Sequence, residues 1–213
     1  MIAVIAGATG LVGTYLAKRL INDKKFTKVI CVGRRASGLK DNKVQDIILG
    51  DLSELKNAAH LLKGDYYFCT LGTTLKSAGS KENFKKIDYQ AIVDFAQIAK
   101  MHEAKCFSVV SATGAKKTST IFYNKVKGET EEVLKELNLS RLLIFRPALL
   151  IGDRKEFRFA ESVAIKMSKV ISVFLPSKAT KKFATQAKEL ANVMYELGSL
   201  DQEGTFIINA QDI

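Results

Sequence analysis

Short apolar runs recur along the chain, separated by stretches whose apolar positions fall at helical intervals. Ile2–Ala6 is apolar throughout, and Leu11–Asn22 then places Leu11, Tyr15 and Leu16 on one helical face. Val29–Val32 and Val44–Leu49 read as the second and third strands. The latter closes at Gly50-Asp51-Leu52, and a short helix is expected around Ser53–Leu62. DYYFCTLGTT supplies a fourth strand that ends at Gly72-Thr73-Thr74. Asn83–Met101 carries Phe84, Ile87, Ile92, Phe95, Ile98 and Ala99, the pattern of a long amphipathic helix. KCFSVVSATGA is the fifth strand, Tyr123–Leu137 the next helix and RLLIFRPALLIG the sixth strand. Past Gly152 the rhythm weakens. Helices are expected near Ala160–Phe174 and Thr185–Leu197, on either side of Pro176, with a last strand at Thr205–Asn209.

Strands that alternate with helices imply a parallel sheet, because each right-handed crossover needs a helix to return the chain. Strands that are apolar without alternation suit a sheet covered on both faces. The expected fold class is therefore α/β, a doubly wound parallel sheet with a small C-terminal cap. It reads as a single domain over residues 1–213, with the cap elements within roughly 152–184.

Composition narrows the classes. A secretory signal peptide carries its positive charge before the apolar run, whereas Lys18 and Arg19 follow it here and glycines interrupt it, so the chain is expected to be mature from Met1. No stretch approaches the ~18 uncharged apolar residues of a membrane span. The nearest is cut by Arg146 and Pro147. Cys31, Cys69 and Cys106 are an odd set without a C-x-x-C pair, read as buried free thiols in a reducing compartment; a cytoplasmic location is expected. His60 and His102 stand isolated, and no metal site is expected. The net charge of +11 comes from lysines spread in pairs, such as Lys24–Lys25 and Lys181–Lys182, with no basic arm. That is a solvated surface rather than a nucleic-acid interface, and it steers an anionic ligand inward.

The ligand is indicated by GATGLVG, the turn Gly7, Ala8, Thr9, Gly10, Leu11, Val12 and Gly13 between the first strand and first helix. The turn needs a residue free of Cβ constraints, and a phosphate can approach only a bare backbone. Close packing of helix on strand needs a third small residue. The helix N-terminus then offers N–H groups and a positive dipole end to a pyrophosphate. The spacing is G-x-x-G-x-x-G rather than G-x-G-x-x-G. At the end of the second strand, where an NAD-binding domain usually places an acid for the ribose hydroxyls, this chain has ICVGRR. Arg34 and Arg35 suit a 2′-phosphate, so NADP(H) is expected in preference to NAD(H).

Catalytic candidates lie in SATGAKKTSTIFYNKVKGETEE. Tyr123 and Lys127 are four apart on a helix and share a face. A phenol with its ordinary pKa near ~10 is a poor acid–base catalyst at neutral pH, and an adjacent ammonium stabilises its phenolate. Ser111 follows strand five at the edge where such sheets bind ligands, placed to orient a carbonyl or its developing charge.

Glycine turn, Ser111, Tyr123 and Lys127 in this order resemble the short-chain dehydrogenase/reductase superfamily in its atypical branch. The strings VGRR, CTLGTTLKSAG, YNKVKGETEE and FRPALLIGDRKEFR are similar to the family of the HIV Tat-interacting protein and its bacterial relatives. The resemblance implies a Rossmann fold and a Ser111, Tyr123, Lys127 catalytic set. It also implies Asp51 and Leu52 near the adenine, Leu71, Gly72 and Thr73 near the middle of the cofactor, and Lys127 on the nicotinamide ribose. The asparagine on the central helix that assists proton relay in many members is not placed by this sequence, Asn83 being too near the start of that helix to be assigned. Three functions are compatible with this reading. The first is NADPH-dependent hydride transfer to a small carbonyl substrate, and the second is an NADP(H)-sensing module with a regulatory protein partner. The third is a nucleoside-diphosphate-sugar epimerase.

Overall fold

In the computed structural model, residues 1–152 and 184–213 are described. The strands are β1 (Ile2–Ala6), β2 (Lys28–Gly33), β3 (Val44–Ile48), β4 (Tyr66–Cys69), β5 (Cys106–Val110), β6 (Arg141–Arg146), β7 (Leu149–Ile151), β8 (Ala184–Gln186) and β9 (Gly204–Asn209). The helices are α1 (Leu11–Asn22), α2 (Leu75–Ala78), α3 (Lys81–Lys85), α4 (Ile92–Met101), α5 (Phe122–Glu136) and α6 (Ala187–Gly198).

Seven strands form one sheet in the order β3-β2-β1-β4-β5-β6-β9. Every pairing is parallel, with Ile5 opposite Cys31 on one side and Phe68 on the other. The inner strands are buried on both faces, which is why their sequences lack polar alternation. On one face α1 and α6 pack together, Leu16 and Leu20 of the first sharing a core with Leu190 and Met194 of the second. On the other face α4 and α5 cover Tyr67, Phe107 and Ile144 with Phe95, Ile98 and Leu134. This is the doubly wound Rossmann architecture that the pattern predicted. Its strand order reverses between β1 and β4, which opens a crevice at their C-terminal ends.

Three elements differ from the expectation. The helix expected near Ser53–Leu62 is two 3₁₀ turns, Leu52–Glu54 and Ala59–Leu61. Asp51 accepts the Ser53 N–H and Glu54 accepts the Gly50 N–H, local bonds that compete with an α-helix. The long helix is interrupted by a π turn at Lys86–Ala91, between α3 and α4. The sixth strand divides at Pro147, which has no N–H to give the ladder. Beyond it β7 leaves the main sheet and pairs with β8, which occupies part of the expected helix near Thr185. The expected helix at Ala160–Phe174, Pro176 and most of the cap lie outside the described residues.

Candidate active site

The glycine turn is built as the spacing required. Gly7 has φ +94°, a conformation that side chains resist, and the Gly10 N–H closes the turn on the Gly7 carbonyl at 2.9 Å. A Cβ on Gly13 would stand 2.2 Å from the Gly7 oxygen, so Gly13 lets helix and strand pack closely. Gly10 is different. It is exposed, and a Cβ there would meet only the Gly7 oxygen, at 3.2 Å. Thr70, just past β4, braces the turn by donating its hydroxyl to the Ala6 and Gly7 carbonyls, both at 3.1 Å. Thr14 does the same from within α1, to the Ala8 and Gly10 carbonyls. Gly10 caps α1 without a side-chain bond, and the first turn holds no acid. The side chain of Val12 is buried and that of Leu11 half-buried, so the turn offers backbone N–H groups and the exposed Thr9 and Gly10. This bare, uncapped helix start fits a dinucleotide pyrophosphate.

Around the crevice the other expected cofactor residues fall into two groups. Arg34 and Arg35 are exposed just past β2. Asp51 lies near Arg34, and its carboxyl is held below the usual range chiefly by the Ser53 N–H and hydroxyl, with Arg34 adding to it. Leu52 is buried in the core beneath. The second group is Leu71, Gly72 and Thr73, whose loop lies over the start of α5. A Cβ on Gly72 would sit 3.6 Å from Asp88 Oδ1 and 3.9 Å from Lys127 Nζ.

Lys127 and Tyr123 project from α5 one turn apart. Lys127 is only 4% exposed, and its ammonium pairs with Asp88 Oδ1 at 2.8 Å. Burial pushes the lysine down, but the Asp88 carboxylate, with Tyr123 adding to it, outweighs that and raises Lys127 above its ordinary value. The Tyr123 ring packs on Phe84 of α3, centroids 5.6 Å apart. Two features set α5 in place. Its Gly128 lies against the loop after β5, where a Cβ would stand 2.2 Å from the Lys116 carbonyl carbon. In turn, the Lys116 N–H donates to the Asn124 carbonyl at 3.0 Å.

Ser111 is brought to the same region but turned aside. It borders a cavity of about 10 Å³ together with Lys127 and Thr130. Its hydroxyl, however, donates to Glu131 Oε1 at 2.5 Å. Glu131 is buried and receives Arg146 in a fork, Nε at 3.0 Å on Oε1 and a terminal nitrogen at 2.5 Å on Oε2. That fork raises the Arg146 pKa further.

Sequence reasoning missed Asp88, Glu131, Arg146 and Thr70. Asp88 left one signal, an acid inside the apolar spacing of KKIDYQAI. It stands on the central helix, facing Lys127, where no asparagine had been found. The three cysteines are free and buried, as expected. Among the described residues no cluster of ligands could hold a metal, and no helix is long and apolar enough to cross a membrane.

Comparison with known proteins bears on the ligand directly. Residues 7–162 match the family model described as NAD(P)H-binding. Protein HTATIP2 of Rattus norvegicus is 36% identical over 167 residues, covering 76% of this chain and 68% of that protein. Protein FMP52-1 of Scheffersomyces stipitis, named mitochondrial, is 37% identical over 157 residues, 73% of this chain and 70% of that protein. The structure of MoeE5 in complex with UDP-glucose and NAD has the same fold, with TM-score 0.75 at 15% identity over 98% of this chain and 75% of that one. The FMP52 relatives overturn one expectation, the cytoplasmic location, since their names place them in mitochondria. The inference had rested on reduced thiols, and buried thiols record a lack of oxidation, not a particular compartment. With its glycine cradle, its doubly wound sheet and relatives above one third identity, the chain belongs to the NAD(P)H-binding family, as an atypical short-chain dehydrogenase/reductase similar to HTATIP2.

Proposed function

We propose that the protein is an NADPH-dependent reductase of a small carbonyl compound, with Tyr123 as the acid. The observation that carries this reading is the pairing on α5. Tyr123 stands one helical turn from a fully buried, charged Lys127, beside the loop Leu71–Thr73 at the C-terminal edge of the sheet. A binding module has no need to bury a lysine beside a phenol, because burial of an ammonium is costly without a chemical return. The Gly7–Gly13 cradle would hold NADPH, which would supply the hydride for the carbonyl carbon. Tyr123 gives its hydroxyl proton to the carbonyl oxygen, solvent returns that proton, and the products are an alcohol and NADP⁺. Lys127 holds the phenol in place and steadies the charge left on it. Arg34 and Arg35 grip the 2′-phosphate and so favour NADPH over NADH.

Tyr123→Phe tests the assignment, because it removes one oxygen and leaves the ring on Phe84. Turnover should fall by roughly 10²–10⁴-fold, while NADPH affinity stays the same. Equal stopped-flow rates of NADPH oxidation in wild type and variant would remove Tyr123 from the chemistry.

One observation favours a second reading, a module whose hold on a partner protein depends on NADP(H). The Ser111 hydroxyl has a single proton and gives it to Glu131, so it is not offered to a substrate oxygen. A module of this kind binds its partner equally well with Tyr123→Phe and oxidises no NADPH with any carbonyl.

A further inference from the structure

Thr70 is half-buried just past β4, and its side chain reaches the glycine turn from 63 residues along the chain. β4 lies beside β1 with Cys69 opposite Ala6, so the residue after Cys69 meets the point where β1 opens into the turn. There the Thr70 N–H donates to the Ala6 carbonyl at 2.8 Å. Its hydroxyl proton is shared between the Ala6 and Gly7 carbonyls, each at 3.1 Å. The Gly10 N–H donates to the same Gly7 oxygen at 2.9 Å, so both lone pairs of that oxygen are engaged. The hydroxyl also fills the space that two glycines leave. A Cβ on Gly7 and a Cβ on Gly13 would each stand 2.7 Å from Thr70 Oγ1.

We propose that Thr70 is a positioning residue for the dinucleotide: by holding the Gly7 carbonyl inward, it keeps the N–H groups of the turn toward the pyrophosphate. Gly7 has no Cβ and sits at φ +94°, so sterics alone restrain its peptides little. An outward carbonyl would present negative charge to an anion, the reverse of what a helix start offers. A turn already held in its binding form spares the ligand the cost of ordering it.

Thr14 does not replace Thr70. Its hydroxyl serves the Ala8 and Gly10 carbonyls, and the bond to Gly10 is a back-bond within its own helix. Thr70 instead ties the turn to a second strand, so the shape of the cradle is set by the sheet as well as by GATGLVG. The effect falls on the middle of the cofactor and not on its ends. It therefore acts on NADPH and NADH alike, unlike that of Arg34 and Arg35, whose reach is the 2′-phosphate. It rests on the NAD(P)H-binding family of the chain and is independent of any role for Tyr123.

Thr70→Ala deletes the hydroxyl and the methyl, whereas Thr70→Ser keeps the hydroxyl alone. Titration calorimetry of the full-length chain with NADPH, and separately with NADH, compares them with wild type. Thr70→Ala should bind each dinucleotide roughly three- to tenfold more weakly, the net worth of one hydrogen bond. The ratio of the two affinities should stay as in wild type, and Thr70→Ser should restore both. Equal affinities in Thr70→Ala and Thr70→Ser, or a loss that falls on NADPH only, would overturn the proposal. Thermal melts without cofactor report packing separately. A lowered melting temperature in Thr70→Ala with unchanged affinities would assign the hydroxyl to stability alone, and equally overturn it. Should Thr70→Ala fail to fold, Thr70→Val keeps the volume and lacks the proton, and the same comparison with Thr70→Ser decides. The measurement needs no substrate, so a protein without turnover still answers it.

Discussion

Arg34 and Arg35 carry the sharpest claim at the scale of single residues. Both are exposed at the end of β2, with Asp51 close to Arg34, so in water each is worth little until a phosphate arrives to share them. Replacing both with alanine should weaken NADPH binding about tenfold or more, the worth of a charge-assisted hydrogen bond, and leave NADH binding nearly unchanged. Titration calorimetry with each cofactor decides it, and equal losses would mean the arginines do not read the 2′-phosphate. Single residues also show what a sequence discloses. GATGLVG, Arg34 and the Tyr123–Lys127 spacing were legible as candidates because each is made of residues adjacent along the chain or along one helix. Asp88 with Lys127, and Ser111 with Glu131 and Arg146, were not. Their partners come from different elements, and only the folded sheet makes them neighbours.

Among the elements, α5 shows a local rule giving way to a global one. Gly128 sits inside a helix, where glycine costs about 1 kcal/mol relative to alanine, and its reason is the backbone of Lys116 and Lys117 against it. Gly128→Ala should therefore lower the melting temperature, a loss of about 1–3 kcal/mol from overpacking against atoms that cannot yield. Propensity alone predicts the opposite sign, so a thermal melt separates the two. The π turn at Lys86–Ala91 escaped the sequence for a related reason. Phe84 on one side and Ile92 and Phe95 on the other each satisfy helical periodicity, and one extra residue between them leaves no mark in the pattern. The division of the sixth strand was half legible. Pro147 announces a break in the ladder, but the partner of β7 lies in β8, far along the chain.

For the molecule as a whole, the three thiols set an alkaline limit. Burial pushes Cys31 and Cys69 up to about 12, with Asp46 adding to the effect at Cys31, and pushes Cys106 up to about 11, each from 9.0. Below about pH 9 both folded and unfolded chains keep these protons, and stability is unaffected. Above it the unfolded chain releases them while the folded one does not, so stability falls with rising pH, by up to about 1.4 kcal/mol per thiol per unit. The urea midpoint at pH 10.5 should lie below that at pH 8, and replacing all three cysteines with alanine should flatten the difference. A wild-type midpoint equal at both pH values would refute it. The packing of α1 on α6 also bears on how the protein is made. Their faces share a core, Arg19 lies over the Tyr195 ring at 4.7 Å, and Tyr195 donates to Asp23 at 2.7 Å. The helix that begins the glycine cradle is thus sheathed by one that leaves the ribosome far later. A nascent chain displays the dinucleotide motif early, yet Leu16 and Leu20 have no cover until α6 docks. Competence for the ligand is then a late event in synthesis, and a bound nicotinamide dinucleotide favours finished molecules by mass action.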